Sequence, residues 1–308
     1  MTWTTLLALI GCAGDLDPPS IVKTPRVLAV VASPPIAPPG EDIELTAMVV
    51  DPEERPLRLS WTACSRFEAL GGQSNLQYGE EPPTEGCVEG AEGVFDLERR
   101  GDTGIISGLL TSLVYEDLEV LAATYGDQLP PDLLRFVVET SGLPVTIGLT
   151  VRTGSEELVR SFKRVLIFTG EPRGTNPPEP RFAITAGEDE HWVSARGTDE
   201  PFTCVPEDGE VPVLDAGTHV VLTPDPDDAA WQEDYRIIDA RGDVVDRHED
   251  SYYSWFTTGG VFEEEQTQAP LRDNVWRVPR RPGFYPLWLV VRDGHGGTSA
   301  CRAEVEVR

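Results

Sequence analysis

Pro282-Gly283-Phe284-Tyr285-Pro286-Leu287-Trp288-Leu289-Val290-Val291-Arg292-Asp293-Gly294-His295-Gly296-Gly297, followed by Cys301-Arg302-Ala303-Glu304-Val305-Glu306-Val307, decides the fold. A Pro-Gly turn opens the stretch, and an apolar run rich in β-branched and aromatic residues follows. Asp293-Gly294-His295-Gly296-Gly297 then reverses the chain, with glycine supplying positive φ at no steric cost. Beyond the turn apolar and polar residues alternate to the end, the period of a half-buried strand. A strand, a hairpin turn and a second alternating strand predict the closing edge of an antiparallel sheet.

Working back from this hairpin, further β-rich runs occur at Asn274–Pro279, Tyr252–Phe256, Tyr235–Ile238, Thr218–Thr223 and Phe182–Thr185. Glu171–Pro180 contains four prolines and reads as a stiff linker over 171–181. Upstream of it, Arg26–Ala32, Asp42–Val50 and Leu57–Cys64 form a second series of strand-like runs, with turns at Pro38-Pro39-Gly40 and Asp51-Pro52-Glu53. Residues 66–104 are rich in glycine and acids and have little periodicity. Leu109, Leu110, Leu113, Val114, Leu118 and Leu121 recur near helical spacing, and Pro130-Pro131-Asp132 opens another apolar run. Strands resume at Val145–Val151 and Leu158–Phe168. The expectation is therefore a β module at 27–170 with a loop and helical insertion at about 66–141, and a second β module at 182–308.

The two series carry a resemblance. A strand, a Pro-Gly turn, a strand ending in Val-Asp-Pro and a strand bearing Ser60-Trp61 resemble the first half of an immunoglobulin-like or polycystic-kidney-disease-type (PKD) domain. The closing stretch, with Trp276, Pro282-Gly283 and the Asp293–Gly297 turn, resembles the last strands of a PKD-type domain. The resemblance implies a mainly β protein of two sandwiches in tandem, with Trp61 between the sheets of the first.

The first residues, Met1–Cys12, read MTWTTLLALIGC. The apolar core Leu6–Ile10 falls short of the roughly 20 residues a membrane span needs and fits the apolar region of an export signal. Leu9-Ile10-Gly11-Cys12 resembles the lipobox of bacterial lipoproteins, although the segment before it lacks the usual Lys or Arg. The resemblance implies cleavage after residue 11, lipidation of the Cys12 thiol, and a tether over 12–26 that holds the chain to a membrane. Ala13 after the cysteine resembles outer-membrane sorting.

Cys64, Cys87, Cys204 and Cys301 remain, an even number that in an exported chain suggests disulfides. Four cysteines permit three pairings, and domain order favours Cys64–Cys87 with Cys204–Cys301. Zinc has little footing, because no two cysteines stand at the short spacing of a zinc knuckle.

The chain has 53 Asp and Glu against 25 Lys and Arg, a net charge of −28. Such a surface repels nucleic-acid backbones, so nucleic acid is not an expected partner. No catalytic motif stands out: there is no nucleophile elbow, metalloprotease helix or phosphate loop. His191, His219, His248 and His295 lie far apart and read as surface side chains. Calcium is the one cofactor with oxygen ligands to suit it, at Asp225, Asp227 and Asp228, with Asp51 and Glu53 a similar turn.

These readings point to a non-enzymatic envelope module for adhesion, scaffolding or contact with another envelope protein. Glycan binding is the alternative, with Trp192, Trp231, Tyr252 and Tyr253 as the candidate rings if they face solvent; core packing is their competing role. A third reading, an envelope hydrolase with the helical insertion as a lid, has no motif behind it.

Overall fold

A computed structural model describes residues 18–64, 94–112, 136, 139–170, 174–195, 200–225, 231–239 and 241–308. The signal segment, Cys12 and Cys87 lie outside the described residues, as do Asp227 and Asp228.

The first module is built from β1 (Arg26–Ser33), β2 (Ile36–Ala37), β3 (Ile43–Val50), β4 (Arg58–Cys64), β5 (Val94–Asp96), β6 (Glu98–Arg100), β7 (Thr103–Ile106), β8 (Leu143–Thr153) and β9 (Glu156–Ile167). These form two sheets, in the orders β1-β3-β7-β6 and β2-β9-β8-β4-β5.

The second module contains β10 (Arg181–Ala186), β11 (Asp189–Ser194), β12 (Val205–Pro206), β13 (Val213–Leu214), β14 (His219–Pro224), β15 (Asp234–Ile238) and β16 (Val244–His248). It continues through β17 (Tyr252–Thr257), β18 (Val261–Phe262), β19 (Gln266–Gln268), β20 (Asn274–Arg277), β21 (Gly283–Arg292) and β22 (Thr298–Val307). Its sheets run β12-β11-β10-β14-β20-β18 and β13-β22-β21-β17-β19, with β15-β16 a separate hairpin.

The two modules share one topology. In the first, β1-β3-β7-β6 holds the places of the A, B, E and D strands of an immunoglobulin-like sandwich; in the second, β10-β14-β20-β18 holds them. The opposite sheets correspond strand for strand as well. In each, a two-residue strand, β2 or β13, pairs in parallel with the last strand of its module. The chain is therefore mainly β, two immunoglobulin-like sandwiches in tandem.

Each core sits where alternation directs side chains inward. Trp61 and Trp255 lie on corresponding strands, β4 and β17, and both are buried. Trp61 lies opposite Leu149, which lies opposite Ser161; Trp255 lies opposite Leu289, which lies opposite Cys301. Two of the buried indoles find an acceptor for their N–H within the fold, while that of Trp255 has none. Trp61 donates to the Asp102 carbonyl at 3.0 Å, and Trp276 to the Gly259 carbonyl at 3.1 Å. Gly104 leaves room for the first of these rings: a Cβ there would stand 2.6 Å from Trp61 Cγ. In the second core Phe182 meets Trp255 edge-on at 5.2 Å between ring centroids.

Cys204 and Cys301 are joined, at a sequence separation of 97. Closing a loop of that length stabilises the fold by roughly 4–5 kcal/mol on the chain-entropy account. Cys64 is also disulfide-bonded.

Two expectations of organisation need correction. The insertion does not fill 66–141 as one block, because Val94–Ile106 supplies three strands of the first sandwich. The described helical residues in this region are 108–112, 136 and 139–141. Acid-rich composition hid β5 and β6, whose side chains largely face solvent, and the short β7, which buries Ile105 and Ile106. The tether is also shorter than 12–26. Val22 N–H donates to Thr257 O at 2.8 Å, and Thr257 N–H to Ser20 O at 3.0 Å, so residues 20–22 lie along the second module. Val22 is buried there.

Candidate functional site

The seam between the two modules gathers the structure's unusual chemistry. It begins with side chains that point away from the second module's core. Alternation along β21 sends Leu287, Leu289 and Val291 inward, and so Trp288 and Val290 outward. With Ala300 of β22 they pack on Leu28, Ala29 and Met48 of the first module, forming a third buried cluster. Register identifies the first module's equivalents of Trp288, Val290 and Ala300 as Gly148, Thr150 and Arg160. One topology thus carries an apolar outer face in the second module, where it docks, and a small or polar set in the first.

Polar bonds cross the same seam. Arg292 Nη1 donates to Ser254 Oγ at 3.0 Å and Nη2 to the Leu28 carbonyl at 3.2 Å. The corresponding pair in the first module, Arg152 Nη1 to Ser60 Oγ at 3.1 Å, has the same local geometry. Asn176 bridges the modules with its amide: Nδ2 donates to Ala32 O at 2.7 Å, and Oδ1 accepts from Thr298 N–H at 2.9 Å. Lys163 of β9 donates to Thr298 Oγ1 at 2.9 Å and to the Gly296 carbonyl. The prolines of the expected linker thus flank a residue that fastens both sides.

The β21–β22 turn is a buried charge cluster rather than a solvent-facing hairpin. Asp293 Oδ1 accepts the N–H groups of His295, Gly296 and Gly297 at 2.7, 2.9 and 3.0 Å. Burial nevertheless pushes the Asp293 carboxyl above its usual range, helped by the negative charge of Glu249. Lys163 is lowered to about 8, chiefly because its ammonium loses water, with the charge of Asp293 opposing. Burial also lowers Arg292.

His295 stacks on Tyr235 at 3.7 Å between centroids. Its Nδ1 faces Glu249 Oε1 at 3.5 Å, and neither atom has a hydrogen-bond partner. Glu249 is 1% exposed, and its other oxygen accepts from Glu233 N–H at 3.0 Å. The expectation that His295 is a surface side chain is therefore corrected: its side chain is 10% exposed, because the turn that carries it is docked rather than free. His248, by contrast, is exposed and meets Asp234 at 2.8 Å.

Beside this cluster lies a cavity of about 280 Å³ with walls from both modules and from the segment between them. Asn176, Phe202 and Ser299 line it, and Glu179 and Glu200 stand exposed at its rim. Phe202 has φ of 60°, a left-handed conformation that costs energy in a residue with a bulky side chain.

The residues expected from sequence fall elsewhere. Tyr253 is 1% exposed and belongs to the second core, so it presents no ring to a ligand. Trp231 packs against that core. Trp192 lies half-buried on β11 with the Arg181 guanidinium 3.8 Å above its ring, and Tyr252 lies on the opposite sheet. No aromatic row results.

Asp225 pairs with Arg181 at 3.1 Å, and Asp51 with Arg55 at 2.8 Å, so each turn carboxylate is bound to a guanidinium. Among the described residues no three His, Cys, Asp or Glu side chains converge as a metal would require. No helix among them is long and apolar enough to cross a membrane. Lys163, Glu249 and Asn176 were missed by sequence reasoning. Lys163 carried a signal, a charged residue at an inward-facing position of β9.

No protein-family model and no curated protein matches the chain. Among solved structures, it is similar to the D0-D1 domain of intimin at 9% identity and a TM-score of 0.20, over 91% of this chain and 98% of that one. It is similar to the N-terminal Ig1-2 module of the Drosophila receptor protein tyrosine phosphatase DLAR at 11% identity and 0.22, over 92% and 99%. For SGBP-B of the Bacteroides ovatus mixed-linkage glucan utilization locus the values are 10% and 0.19, over 93% of this chain and 48% of that one. At these TM-scores the likenesses carry no inference about this chain.

Proposed function

We propose that this chain is a non-enzymatic binding and spacing module of the bacterial cell envelope, held at the outer membrane through lipidated Cys12. The seam is the observation that carries the reading. An apolar cluster and three bridging side chains lock two sandwiches into one body, which suits a part that presents a surface at a set distance and angle. The Cys204–Cys301 bond supports an oxidising compartment. The net charge of −28 supports a partner that is neutral or cationic, such as another envelope protein or a polysaccharide, and not nucleic acid.

Fractionation of cells producing the full chain, wild type beside Cys12→Ser, tests the address. The reading expects the wild type in the outer-membrane fraction with an intact mass that starts at Cys12 and includes acyl chains, and the variant released from that fraction. An unacylated mass that retains Met1 would overturn it.

A further inference from the structure

We infer that the turn joining β20 to β21 is a membrane contact. Arg277, Arg280 and Arg281 meet the headgroup phosphates of an anionic phospholipid surface, and Phe284 enters the interface beside them. The inference rests on the proposed lipidation of Cys12, which supplies the first contact with the same membrane.

The turn is rigid and its charges are free. Val278–Pro282 crosses the end of the second sandwich from one sheet to the other. Pro279 and Pro282 fix two of its φ angles. Val278 N–H donates to Thr218 O at 2.9 Å, Gly217 N–H to Pro279 O at 3.2 Å, and the Tyr285 hydroxyl to Arg281 O at 2.9 Å. Arg277, Arg280 and Arg281 are exposed, and among the described residues none of the three has an ion pair or a side-chain hydrogen bond. Phe284, at the start of β21, is 61% exposed. Its cross-strand neighbour Glu306 is paired with Arg308 at 2.8 Å.

Charge placement selects the partner. The net charge of −28 repels an anionic surface at long range, but at physiological salt that field is screened beyond about 8 Å, so the residues at the contact decide. Asp215, in the adjoining turn, is one carboxylate against three guanidiniums. Glu188 and Asp189 follow β10, which β14 separates from β20 by roughly 10 Å. Each arginine near an anionic bilayer favours contact about five-fold. A bilayer interface offers phosphates and an apolar layer together. An acidic protein segment would match the arginines and leave the phenyl ring unmatched.

The path of the tether agrees. Ser20 and Val22 bond to Thr257, which lies opposite Leu287, three residues along β21 from Phe284, or about 10 Å. A Cβ on Gly259, just beyond, would stand 2.5 Å from Tyr285 and 3.2 Å from Pro279, so this end of β17 is packed on the arginine turn. Cys12 precedes Pro18 by six residues, a reach of at most about 22 Å. An anchor on Cys12 and the turn can therefore share one membrane plane. The anchor supplies affinity and the turn fixes orientation, which a spacer needs.

The test uses the full chain, its acylation read by intact mass, in nanodiscs of equal parts phosphatidylethanolamine and phosphatidylglycerol with a trace of gadolinium-chelate lipid. Amide relaxation at Gly283 should be enhanced several-fold over that at Gly242, in the β15–β16 turn at the other end of the module. Arg277→Gln with Arg280→Gln and Arg281→Gln should bring Gly283 to the level of Gly242, each change weakening the contact about five-fold. Discs of phosphatidylcholine alone, which leave the protein unaltered, should give the same loss.

Equal enhancement at both glycines in an acylated chain would overturn the contact and leave the anchor standing, as would an enhancement that survives the Gln variant or the neutral lipid. A mass without acyl chains would overturn the anchor instead, and the shared plane with it. Amide shifts at Arg280 and Arg281 on adding a Glu-rich peptide, with no enhancement in the discs, would overturn the lipid assignment in favour of an acidic protein segment.

Discussion

Lys163 Nζ of the first module donates to Thr298 Oγ1 of the second at 2.9 Å, from within the seam that joins the two sandwiches. Asp293, Glu249 and His295 approach the same turn from the second module, and Arg292 adds a second positive charge. The ammonium has left water for few compensating charges, which is why its pKa falls to about 8.

That shift has a signed consequence. Between pH 8 and 10.5 the unfolded chain holds a proton on Lys163 that the folded chain has released. Stability from this group therefore rises with pH across that window, by on the order of 2 kcal/mol once partial solvent access is allowed for. Thermal unfolding of wild type and Lys163→Met at pH 7 and pH 10 measures it. The wild type should gain on the variant at the higher pH, and parallel curves would contradict the assignment.

Asp293 separates two roles. Its Oδ1 ties three backbone N–H groups, while burial holds the carboxyl above its usual range. Asp293→Asn keeps an acceptor and removes the buried charge, so it should raise the melting temperature at pH 7 by a few degrees. The gain should shrink as the pH falls and the wild-type carboxyl takes up its proton. Asp293→Ala leaves the N–H groups without their acceptor and should destabilise at either pH.

Gly104 tests the packing of the first core. An added methyl would press on the Trp61 ring at 2.6 Å, and a fully buried indole has little room to move. Gly104→Ala should cost about 1–3 kcal/mol in urea unfolding. Gly101→Ala, with open space around its Cβ, should show the smaller backbone penalty of a positive φ.

The residues that made the fold legible are those whose alternation is clean. The run Glu304–Val307 directs Val305 and Val307 to the second core, so period alone marked it as a strand, whereas Trp61 was placed between the sheets by the resemblance to an immunoglobulin-like domain. The seam was harder to read because its signal lies in a missing alternation. Leu287–Val291 is apolar at every position, which marks a strand covered on both faces, and here the second cover is the neighbouring module. His295 and Asp293 sit in a glycine-rich turn, a setting normally exposed, and only docking of that turn buries them. Tyr253 takes the competing role of core packing: next to Tyr252 in sequence, it faces the other side of the sheet. The cavity joins residues from 31 to 300, a grouping that local pattern does not reveal.

The most direct test of the account is amide relaxation of the full chain, which reports the tumbling of each module separately. One body joined through Trp288, Val290 and Ala300 predicts the same rotational correlation time for residues 26–167 and 181–307 in the wild type. Trp288→Glu, which places a charge in the seam, should split them into two shorter times while both cores remain folded. Two distinct correlation times in the wild type would contradict the claim that the sandwiches are locked together.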